Sequence, residues 1–386
     1  MNLDEPNHIA ALRDTIRRFV ARELPREAVR KWDHDDEFPR AVFDKLAALG
    51  VTGSTIPESY GGTGRDIPAT MATIEELARR SFPIAVAYIN CACYGGMNIL
   101  ESGSEAQKRE LLPRLARGEI LFAYGLTEPD IGADLASVKT RATRRGDTVI
   151  VTGAKRFCTG ADIADYVDLL ANSDPAGARH KNLSLILVPP KSPGVTLRPI
   201  PTMGLRGFPS FDATFDAVEV PAANIVGGEA GWNQAWPMLA GPTLDVEKLE
   251  VAAIGIGIAA AAIDDAWEYA QTRVQFGKPV SSYQAIRHAL ADAKTRLHAA
   301  RLMLRHASWL ADRGEPCGVE TSMTKLFVSE TAKRIVLDCQ TVMGAYGYAT
   351  EFDLERHVRD VLLLPIIGGS SAIQRNNIAN RLGLPR

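Results

Sequence analysis

Hydrophobic side chains recur with a helical period along the first third of the chain. Residues 8–24 are apolar at every third or fourth position, which is the stripe of an amphipathic helix. Residues 39–49 repeat that stripe and stop at Gly50, as a helix C-terminus does. Residues 81–100 are mostly apolar and predict a long buried helix. The pattern therefore predicts an N-terminal α-helical domain over residues 1–120.

The middle of the chain replaces the helical period with short β-branched runs separated by Gly, Pro, Asn and Asp. These runs lie at residues 148–152, 167–170, 183–188, 195–198 and 213–220. Such spacing favours an antiparallel β-barrel or sandwich over alternating βαβ units. We therefore expect a β domain over residues 121–231.

Helical patterns return in the last part of the chain. The candidates lie at residues 243–272, 283–313, 321–343 and 373–381. Long helices with short connections are typical of a four-helix bundle, which we predict over residues 232–386. The expected fold class is thus mainly α with a β middle domain. A length of 386 residues agrees with several domains, because one hydrophobic core rarely serves so long a chain.

Composition and charge exclude some classes of partner. The chain is 46% apolar and 23% charged, like an ordinary globular protein. Its net charge of −2 gives no general attraction to nucleic acid or to anionic lipid. The longest uncharged apolar stretch, 251–263, is shorter than the roughly 20 residues of a membrane helix, and the polar N-terminus does not resemble a signal peptide. We expect neither a nucleic-acid nor a membrane partner.

Cysteine and histidine usage bears on compartment and metals. The five cysteines, an odd and scattered set, make a poor disulfide framework and suit a reducing cytoplasm. The seven histidines form no H-E-x-x-H motif and pair with no C-x-x-C, so we expect no metal site.

Residues 255–260 read G-I-G-I-A-A and match the dinucleotide fingerprint G-x-G-x-x-A. That fingerprint works only where a strand turns into a helix. Here the glycines lie inside the helical pattern of residues 247–269, with no strand before it. We interpret them as small residues that allow close helix packing.

Four blocks of sequence carry a family resemblance. Residues 124–134 read Y-G-L-T-E-P-D-I-G-A-D, and residues 153–160 read G-A-K-R-F-C-T-G. Residues 273–279 read R-V-Q-F-G-K-P, and residues 343–348 read M-G-A-Y-G-Y. Either of the first two blocks alone is weak. In this order and at this spacing the chain resembles the acyl-CoA dehydrogenase family over essentially its whole length.

The resemblance implies FAD as the cofactor and assigns residues to its flavin ring. Tyr124, Leu126 and Thr127 would line the isoalloxazine, and Phe157 and Thr159 would cover its other side. Phe157 stands where the family usually has Trp, so it offers an aromatic wall without an N–H donor. For the two threonines, the alternative is an ordinary place at a strand end.

The resemblance also assigns the pyrophosphate end of FAD. Arg273 matches the cationic position, with Phe276 and Gln284 beside it. In the family these residues come from a neighbouring subunit, which implies a homodimer or a homotetramer. Without the resemblance, Arg273 near a helix C-terminus would be interpreted as a surface charge that compensates the helix dipole.

Several cofactor positions depart from the family pattern. Thr341 replaces a common Gln, Ala345 a Gly and Ala133 the serine of G-S-D, while Ala372 replaces the polar residue after the serine pair that begins at Ser370. Ser370 is itself a cofactor position by resemblance. Each change removes a hydrogen bond or alters packing around flavin or thioester, which predicts weaker FAD binding than is typical.

The expected chemistry needs a carboxylate that removes the α-proton of a thioester while hydride leaves the β-carbon. Many family members place it in a C-terminal Y-E-G-T-S motif, where this chain has Gly368. Another branch places it on the first bundle helix, and here that position is Glu247, followed by Lys248. We assign Glu247 as the base, predict that burial raises its pKa, and keep Glu250 as its rival. The alternative is a surface glutamate that pairs with a neighbour such as Lys248.

Three further positions concern the substrate and its reaction. Gly368 retains a backbone N–H that the family uses to stabilise the enolate oxygen. Asp245 matches a position that contacts the pantetheine arm, although it also suits the first turn of a helix. Ala133 is a substrate position by resemblance as well. Asn90 lies in the segment expected to face the acyl tail, and its partner is either a polar acyl substituent or, more in keeping with a buried helix, a neighbouring backbone group.

The leading functional hypothesis is FAD-dependent α,β-dehydrogenation of an acyl-CoA or acyl-carrier-protein thioester. An electron-transfer flavoprotein would then accept the electrons. A flavin oxidase or monooxygenase on the same fold and a carrier-protein-linked dehydrogenase are alternatives. A non-catalytic partner subunit is a third, because several cofactor positions are altered.

Overall fold

The computed structural model describes residues 5–385 of the chain, and its N-terminal part is helical. The helices are α1 (Asn7–Glu23), α2 (Arg26–Asp35), α3 (Arg40–Ala47), α4 (Ile67–Ala78), α5 (Phe82–Ile89), α6 (Asn98–Ser102) and α7 (Glu105–Ala116). The helices predicted at residues 8–24 and 39–49 are confirmed as α1 and α3. The sequence patterns gave no prediction for α2, α4 and α7.

The long apolar run forms the predicted buried helix but changes its geometry halfway. Between α5 and α6 the backbone adopts π-helical turns over Asn90–Met97, with hydrogen bonds from i to i+5. Among the described residues, Phe82–Ser102 is the one run that is long and apolar enough to cross a membrane. A core helix meets the same criterion, and most of this run is buried inside the protein.

The middle of the chain forms one curled seven-stranded sheet. Its strands are β1 (Phe122–Gly125), β2 (Arg141–Arg145), β3 (Thr148–Thr159), β4 (Tyr166–Asn172), β5 (Leu183–Val188), β6 (Val195–Ile200) and β7 (Ser210–Pro221). The strand order is β1-β4-β2-β3-β7-β6, with β5 beside β4. All five predicted runs are strands, and most pairs are antiparallel as expected. The pair β1–β4 is parallel instead, because the β2–β3 hairpin serves as the crossover between the two strands.

The last part of the chain is helical again. Its elements are α8 (Ala235–Leu239), α9 (Pro242–Thr272), the ribbon β8 (Val274–Gln275) and β9 (Lys278–Pro279), α10 (Gln284–Asp312), α11 (Gly318–Met343), α12 (Leu354–Val361) and α13 (Ser371–Arg381). The four predicted helices are confirmed as α9, α10, α11 and α13. Helices α9, α10 and α11 pack on one another, and α13 packs against α11.

One hydrophobic core joins the N-terminal and C-terminal helices, and the sheet has a core of its own. Helix α9 packs against α4 at Gly257, where a methyl group would lie 2.4 Å from the carbonyl oxygen of Glu75. The interpretation of the G-x-G-x-x-A segment as a packing feature is therefore confirmed. The predicted domain boundaries at residues 120 and 231 fall between the α-helices and β-strands of neighbouring parts. The division into three domains remains a prediction.

Candidate active site

Glu247 and Glu250 lie one turn apart on α9, so their side chains share one face of the helix. Glu250 is only 1% exposed. Glu247 keeps partial exposure, although the surrounding protein is dense enough that burial dominates its ionisation. This combination is typical of a side chain that lines a recess. Glu247 is therefore not the surface glutamate of the alternative interpretation.

The lysine that follows Glu247 is bonded elsewhere. Lys248 is buried, and its ammonium group donates to Oδ1 of Asp245 at 2.7 Å. The Thr321 hydroxyl donates to the same oxygen at 3.2 Å. Asp245 thus lies in the first turn of α9 and ties it to α11. Its contact with a pantetheine arm remains a prediction.

The pKa of Glu247 is raised, as predicted. Burial raises the pKa to about 7, and the cations of Lys248 and Lys325 keep it from rising further. A carboxyl group with this pKa is substantially ionised near neutral pH and still holds a proton well once it has taken one. Both properties suit a general base.

Glu250 is more isolated than Glu247. Burial, followed by the nearby charge of Glu247, raises its pKa to about 8. The Cys93 thiol, a weak hydrogen-bond donor, lies beside it and moderates that rise. Within the described residues, neither carboxyl oxygen of Glu250 has a hydrogen-bond partner.

Two stacked tyrosines connect this face of α9 to the sheet. The rings of Tyr94, in the π turns, and Tyr124, in β1, lie 3.9 Å apart with an angle of 13° between their planes. Burial, followed by the charge of Glu247, raises the pKa of both phenols well above their usual value. The Asn98 amide donates a hydrogen bond to the Tyr124 hydroxyl. The structure thus brings Tyr124, a predicted flavin-lining residue, close to Glu247.

The loop that contains Gly368 packs against α9. Gly368 and Gly369 have φ of 58° and 73°, the left-handed region that glycine adopts readily. A methyl group on Gly368 would lie 3.0 Å from Cγ2 of Val251, the residue after Glu250 on α9. The loop of Gly368 therefore packs on α9 one turn after Glu247.

Buried donors fix the peptide groups of this loop. The Lys325 ammonium group donates to the carbonyl oxygens of Leu364 at 2.9 Å and Gly369 at 2.8 Å. The Gln374 amide donates to the carbonyl oxygens of Gly368 at 2.9 Å and Gly369 at 3.0 Å. Ser370 is the N-cap of α13, and its hydroxyl oxygen accepts a hydrogen bond from the backbone N–H of Ile373 in the first turn. The loop is thus rigid before any ligand arrives.

The signature segment after β1 is anchored by an internal ion pair. Lys155 is fully buried, pairs with Glu128 at 2.9 Å and donates to the carbonyl oxygen of Leu126 at 3.1 Å. The carbonyl oxygen of Thr127 accepts from the backbone N–H of Arg156 at 2.8 Å. Leu126 and Thr127 are therefore held against β3, and both remain partly exposed.

Phe157 and Thr159 lie at the end of β3, Phe157 inside a register shift between Lys155 and Cys158 and Thr159 just after it. Phe157 has a φ of 61° and is 51% exposed, both unusual for a large apolar residue. Its ring lies beside the Arg156 guanidinium, 5.1 Å from the ring centre. The Thr159 hydroxyl pairs with that of Ser210 at 2.8 Å.

Two predicted substrate positions have different environments. The Asn90 amide donates to the carbonyl oxygen of Thr159 at 3.3 Å, so the partner of this buried side chain is a backbone group. Ala133 is exposed at the surface of the β domain, next to Asp134, which pairs with Arg179. The structure does not join Ala133 to the recess.

Five predicted cofactor residues lie at or near the surface of the helical domain. Arg273, Phe276 and Gln284 are those predicted for the pyrophosphate end, and Thr341 and Ala345 are two of the altered cofactor positions. The Arg273 guanidinium lies 5.3 Å from the centre of the Tyr346 ring. Phe276 is 94% exposed, with a φ of 53°. Among the described residues, no hydrogen bond or ion pair joins any of these five to Glu247.

Lys325 and Asn98 belong to the site but were not predicted. Lys325 lies on the buried stripe of α11 together with Thr321 and Val328, and a lysine on an apolar stripe is a signal that the sequence did contain. Asn98 gave no signal, because its importance depends on the Tyr94–Tyr124 stack.

The residues present fit a flavin. An exposed aromatic face at Phe157 stands beside partly exposed backbone and hydroxyl groups of Leu126, Thr127 and Thr159, which suits a flat ring with a polar edge. The strained backbone of Phe157 indicates a built feature rather than a surface accident.

Family comparisons cover nearly the whole chain. The acyl-CoA dehydrogenase N-terminal domain matches residues 6–119, the middle domain matches residues 123–218, and the C-terminal domain matches residues 233–383.

Several curated proteins are similar over most of their length. An acyl-CoA dehydrogenase of Bacillus subtilis is 36% identical over 373 residues, which is 96% of this chain and 97% of the relative. A 3-(aryl)acrylate reductase of Clostridium sporogenes is 36% identical over 91% of this chain and 92% of its own. The caffeyl-CoA reductase–Etf complex subunit CarC of Acetobacterium woodii is 34% identical over 96% of this chain and 97% of its own.

Solved structures share the whole architecture. The butyryl-CoA dehydrogenase of Megasphaera elsdenii superposes with a TM-score of 0.94 at 30% identity, covering 99% of this chain and all of that one. An FAD-dependent dehydrogenase superposes at 0.90 with 31% identity, covering all of both chains. The prolyl acyl carrier protein oxidase AnaB superposes at 0.91 with 30% identity, covering 99% of this chain and all of that one.

These matches agree with the helix–sheet–bundle order and with the motif positions. The family is FAD-dependent and acts on acyl-CoA thioesters as dehydrogenases or reductases. This chain is an oxidoreductase that acts on CH–CH groups, and it belongs to the acyl-CoA dehydrogenase family.

Proposed function

We propose that this chain is an FAD-dependent dehydrogenase that oxidises an acyl-CoA thioester between its α- and β-carbons, with Glu247 as the base. The observation that carries the proposal is the setting of Glu247. It lines a recess close to Tyr124, has no ion-pair partner within residues 5–385, and has a pKa raised to about 7 by burial.

Glu247 removes the α-proton and leaves the electron pair of that C–H bond on the thioester as an enolate. Gly368 supplies a backbone N–H for the enolate oxygen, in a loop that Lys325 and Gln374 hold in place. A preset donor stabilises developing charge without having to reorganise during the reaction. Lys325 also moderates the pKa of Glu247.

Tyr124, Leu126, Thr127, Phe157 and Thr159 would hold the flavin ring of FAD. The chemistry that FAD supplies when bound is acceptance of the hydride equivalent from the β-carbon. Phe157 offers its aromatic face in place of the more common Trp. Ser370, Thr341, Ala345 and Ala133 would contribute less, since each offers little or no free hydrogen-bonding capacity here.

We further propose that Arg273, Phe276 and Gln284 complete the FAD site of a second copy, in a homodimer or homotetramer. The 94% exposure and positive φ of Phe276 support this, because a lone chain gains nothing by holding a large apolar ring in water in a strained backbone. The five cysteines of this chain form no disulfide, which supports a location in a reducing cytoplasm. An electron-transfer flavoprotein is the proposed acceptor, since one relative belongs to an Etf complex.

A second candidate function is oxidation of a carrier-protein thioester with oxygen as the acceptor. The observation in its favour is the full-length superposition on a prolyl acyl carrier protein oxidase. The same residues would remove the same proton, so the two functions differ in the thioester carrier and in the fate of the electrons.

Anaerobic mixing of the flavin-loaded protein with a panel of acyl-CoA thioesters tests the proposal. We expect loss of the yellow flavin absorbance within one turnover with at least one thioester, and slow return of colour in air. Rapid return in air would favour the oxidase. A protein that carries flavin but is not bleached by any acyl-CoA or acyl-carrier-protein thioester would contradict the dehydrogenase proposal.

A further inference from the structure

Glu250 is a buried carboxyl group whose place in the fold is not explained by packing. It is 1% exposed, and neither oxygen has a hydrogen-bond partner within the described chain. Buried polar groups without partners destabilise a protein, so most are satisfied or replaced by apolar residues. An unpartnered carboxyl group one helical turn from the proposed base is open to a partner that arrives from outside the protein.

Glu250 and Glu247 cannot both be ionised easily. They lie three residues apart on one helical face, and Glu250 is buried, so their like charges repel. Glu247 has two lysine cations to favour its ionised form, whereas the charge of Glu247 acts against ionisation of Glu250. When Glu247 is ready to remove a proton, Glu250 therefore carries one. A protonated carboxyl group donates one hydrogen bond and accepts another.

The surroundings of Glu250 are polar as well. The Cys93 thiol and the Tyr94 side chain come from the π turns that pack beside it. Tyr94 stacks on Tyr124, whose hydroxyl accepts from the Asn98 amide. Oδ1 of Asn98 also has no hydrogen-bond partner in the described residues, and Asn98 is 8% exposed. Two separate side chains near one recess thus leave hydrogen-bonding capacity open.

We propose that Glu250 is a specificity-determining residue and that the acyl group of the substrate carries a hydroxyl, which donates to one oxygen of Glu250 and accepts from the other. A hydroxyl matches a neutral carboxyl group because it too donates and accepts. The two glutamate Cβ atoms lie about 5–6 Å apart by helix geometry, so the hydroxyl lies a few carbons from the reacting bond. This inference rests on the proposed dehydrogenation and specifies its substrate class.

The test compares pairs of thioesters of equal length with and without a terminal hydroxyl, such as butyryl-CoA with 4-hydroxybutyryl-CoA and hexanoyl-CoA with 6-hydroxyhexanoyl-CoA. The kcat/KM of each is measured for the flavin-loaded wild type, Glu250→Leu and Glu250→Gln. The Kd of each is measured by calorimetry in the Glu247→Gln background, where turnover does not interfere. 4-Aminobutyryl-CoA probes for recognition of a cation.

We expect the wild type to prefer the hydroxylated member of at least one pair by about 10- to 100-fold. Glu250→Leu should reduce that preference to less than about twofold, while Glu250→Gln, which still donates and accepts, retains most of it. Glu250→Leu should also raise the melting temperature, because it removes an unpaired buried acid.

Equal use of both members by the wild type, or a preference that survives Glu250→Leu, would overturn the proposal. So would preference for the aminoacyl thioester, or a lower melting temperature for Glu250→Leu, which would reveal a structural partner. Calorimetric preference for the hydroxylated member without flavin bleaching would support this inference and count against the proposed dehydrogenation alone. Failure to bind any acyl-CoA would count against both.

Discussion

Two pairs of buried glutamates on two packed helices have opposite surroundings. On α4, Glu75 and Glu76 are each 1% exposed and are surrounded by arginines. Glu75 pairs with Arg301 at 2.7 Å and Arg13 at 2.9 Å, and Glu76 pairs with Arg13 at 2.9 Å and Arg17 at 2.8 Å. Burial alone would raise the pKa of Glu75, but the cations of Arg301 and Arg13 outweigh it and lower that pKa.

Within residues 5–385, no arginine pairs with either glutamate on α9. Burial dominates there and raises the pKa of Glu247 to about 7 and that of Glu250 to about 8. The two helices pack directly on each other, so depth does not explain the contrast. A buried acid that is fully paired stabilises the fold, whereas one left unpaired is available for chemistry.

Glu247→Gln should produce the largest change of the predicted set, a loss of reaction rate. We expect the rate of anaerobic flavin bleaching by an acyl-CoA to fall about 10³-fold, because general-base catalysis typically contributes 10²–10⁴-fold. Glu75→Gln is the matched control and should change the rate by less than about threefold, since Glu75 takes no part in the reaction. Stopped-flow absorbance measures both. A Glu247→Gln rate within tenfold of wild type would transfer the role of base to Glu250.

The variant with the smaller effect on the rate should have the larger effect on stability. Glu75→Gln leaves Arg13 and Arg301 without full compensation and should lower the free energy of unfolding by about 2–3 kcal/mol, a value reduced for the partial exposure of Arg301. Glu247→Gln should not lower it. Because the folded pKa of Glu75 lies below its unfolded value, the contribution of Glu75 is present above about pH 4.3 and is lost as the pH falls. Urea unfolding at several pH values measures this, and equal losses in both variants would erase the distinction.

The pH dependence of the reaction should reflect the glutamates on α9 and not those on α4. With a pKa of about 7 for Glu247, the bleaching rate should rise about tenfold between about pH 6 and pH 8. Stability should move the other way. The folded pKa lies above the unfolded value of about 4.3, so this group favours folding less as the pH rises from there toward 7. Rate profiles of wild type and Glu75→Gln should coincide, and a flat wild-type profile would contradict the assignment.

Substitution of Lys325 should produce the smallest change, a shift in the midpoint of the pH–rate profile. Lys325→Met removes a cation that holds the pKa of Glu247 down, so the midpoint of the rate profile should move up by about 0.5–1 pH unit. Lys325→Arg keeps the charge and should leave the midpoint near that of the wild type. The same rate profiles provide the measurement. An unchanged midpoint in Lys325→Met would mean that the lysine acts only on the loop through Leu364 and Gly369.

The sequence predicted much of the fold because its long helices are strongly periodic. Helices α9, α10 and α11 agree with their predicted ranges to within a few residues, and β5 agrees completely. Short elements were missed, although α7 begins with a capping box at Ser104 and Gln107 that a residue-by-residue search could have found. The parallel β1–β4 pair depends on tertiary topology and leaves no local signal.

The site was only partly predictable, for a similar reason. Glu247 could be found because the family places its base at one of two positions, and this chain has a glutamate at one and Gly368 at the other. Two features depend on residues far apart in the chain: Glu250 has no hydrogen-bond partner within the described part of the chain, and Lys325 binds the loop at Gly369. A sequence shows which groups are present, but only the folded chain shows which remain unsatisfied.

The π turns over Asn90–Met97 have a consequence for how such a site can evolve. An i to i+5 turn holds one residue more than an α-turn, so removing one residue there would let the segment close as an ordinary α-helix. The helical residues on either side of the segment would keep their places, while the side chains inside it would point in new directions. Insertion or deletion of a single residue would therefore change which side chains this segment presents toward α9 more than any one substitution there.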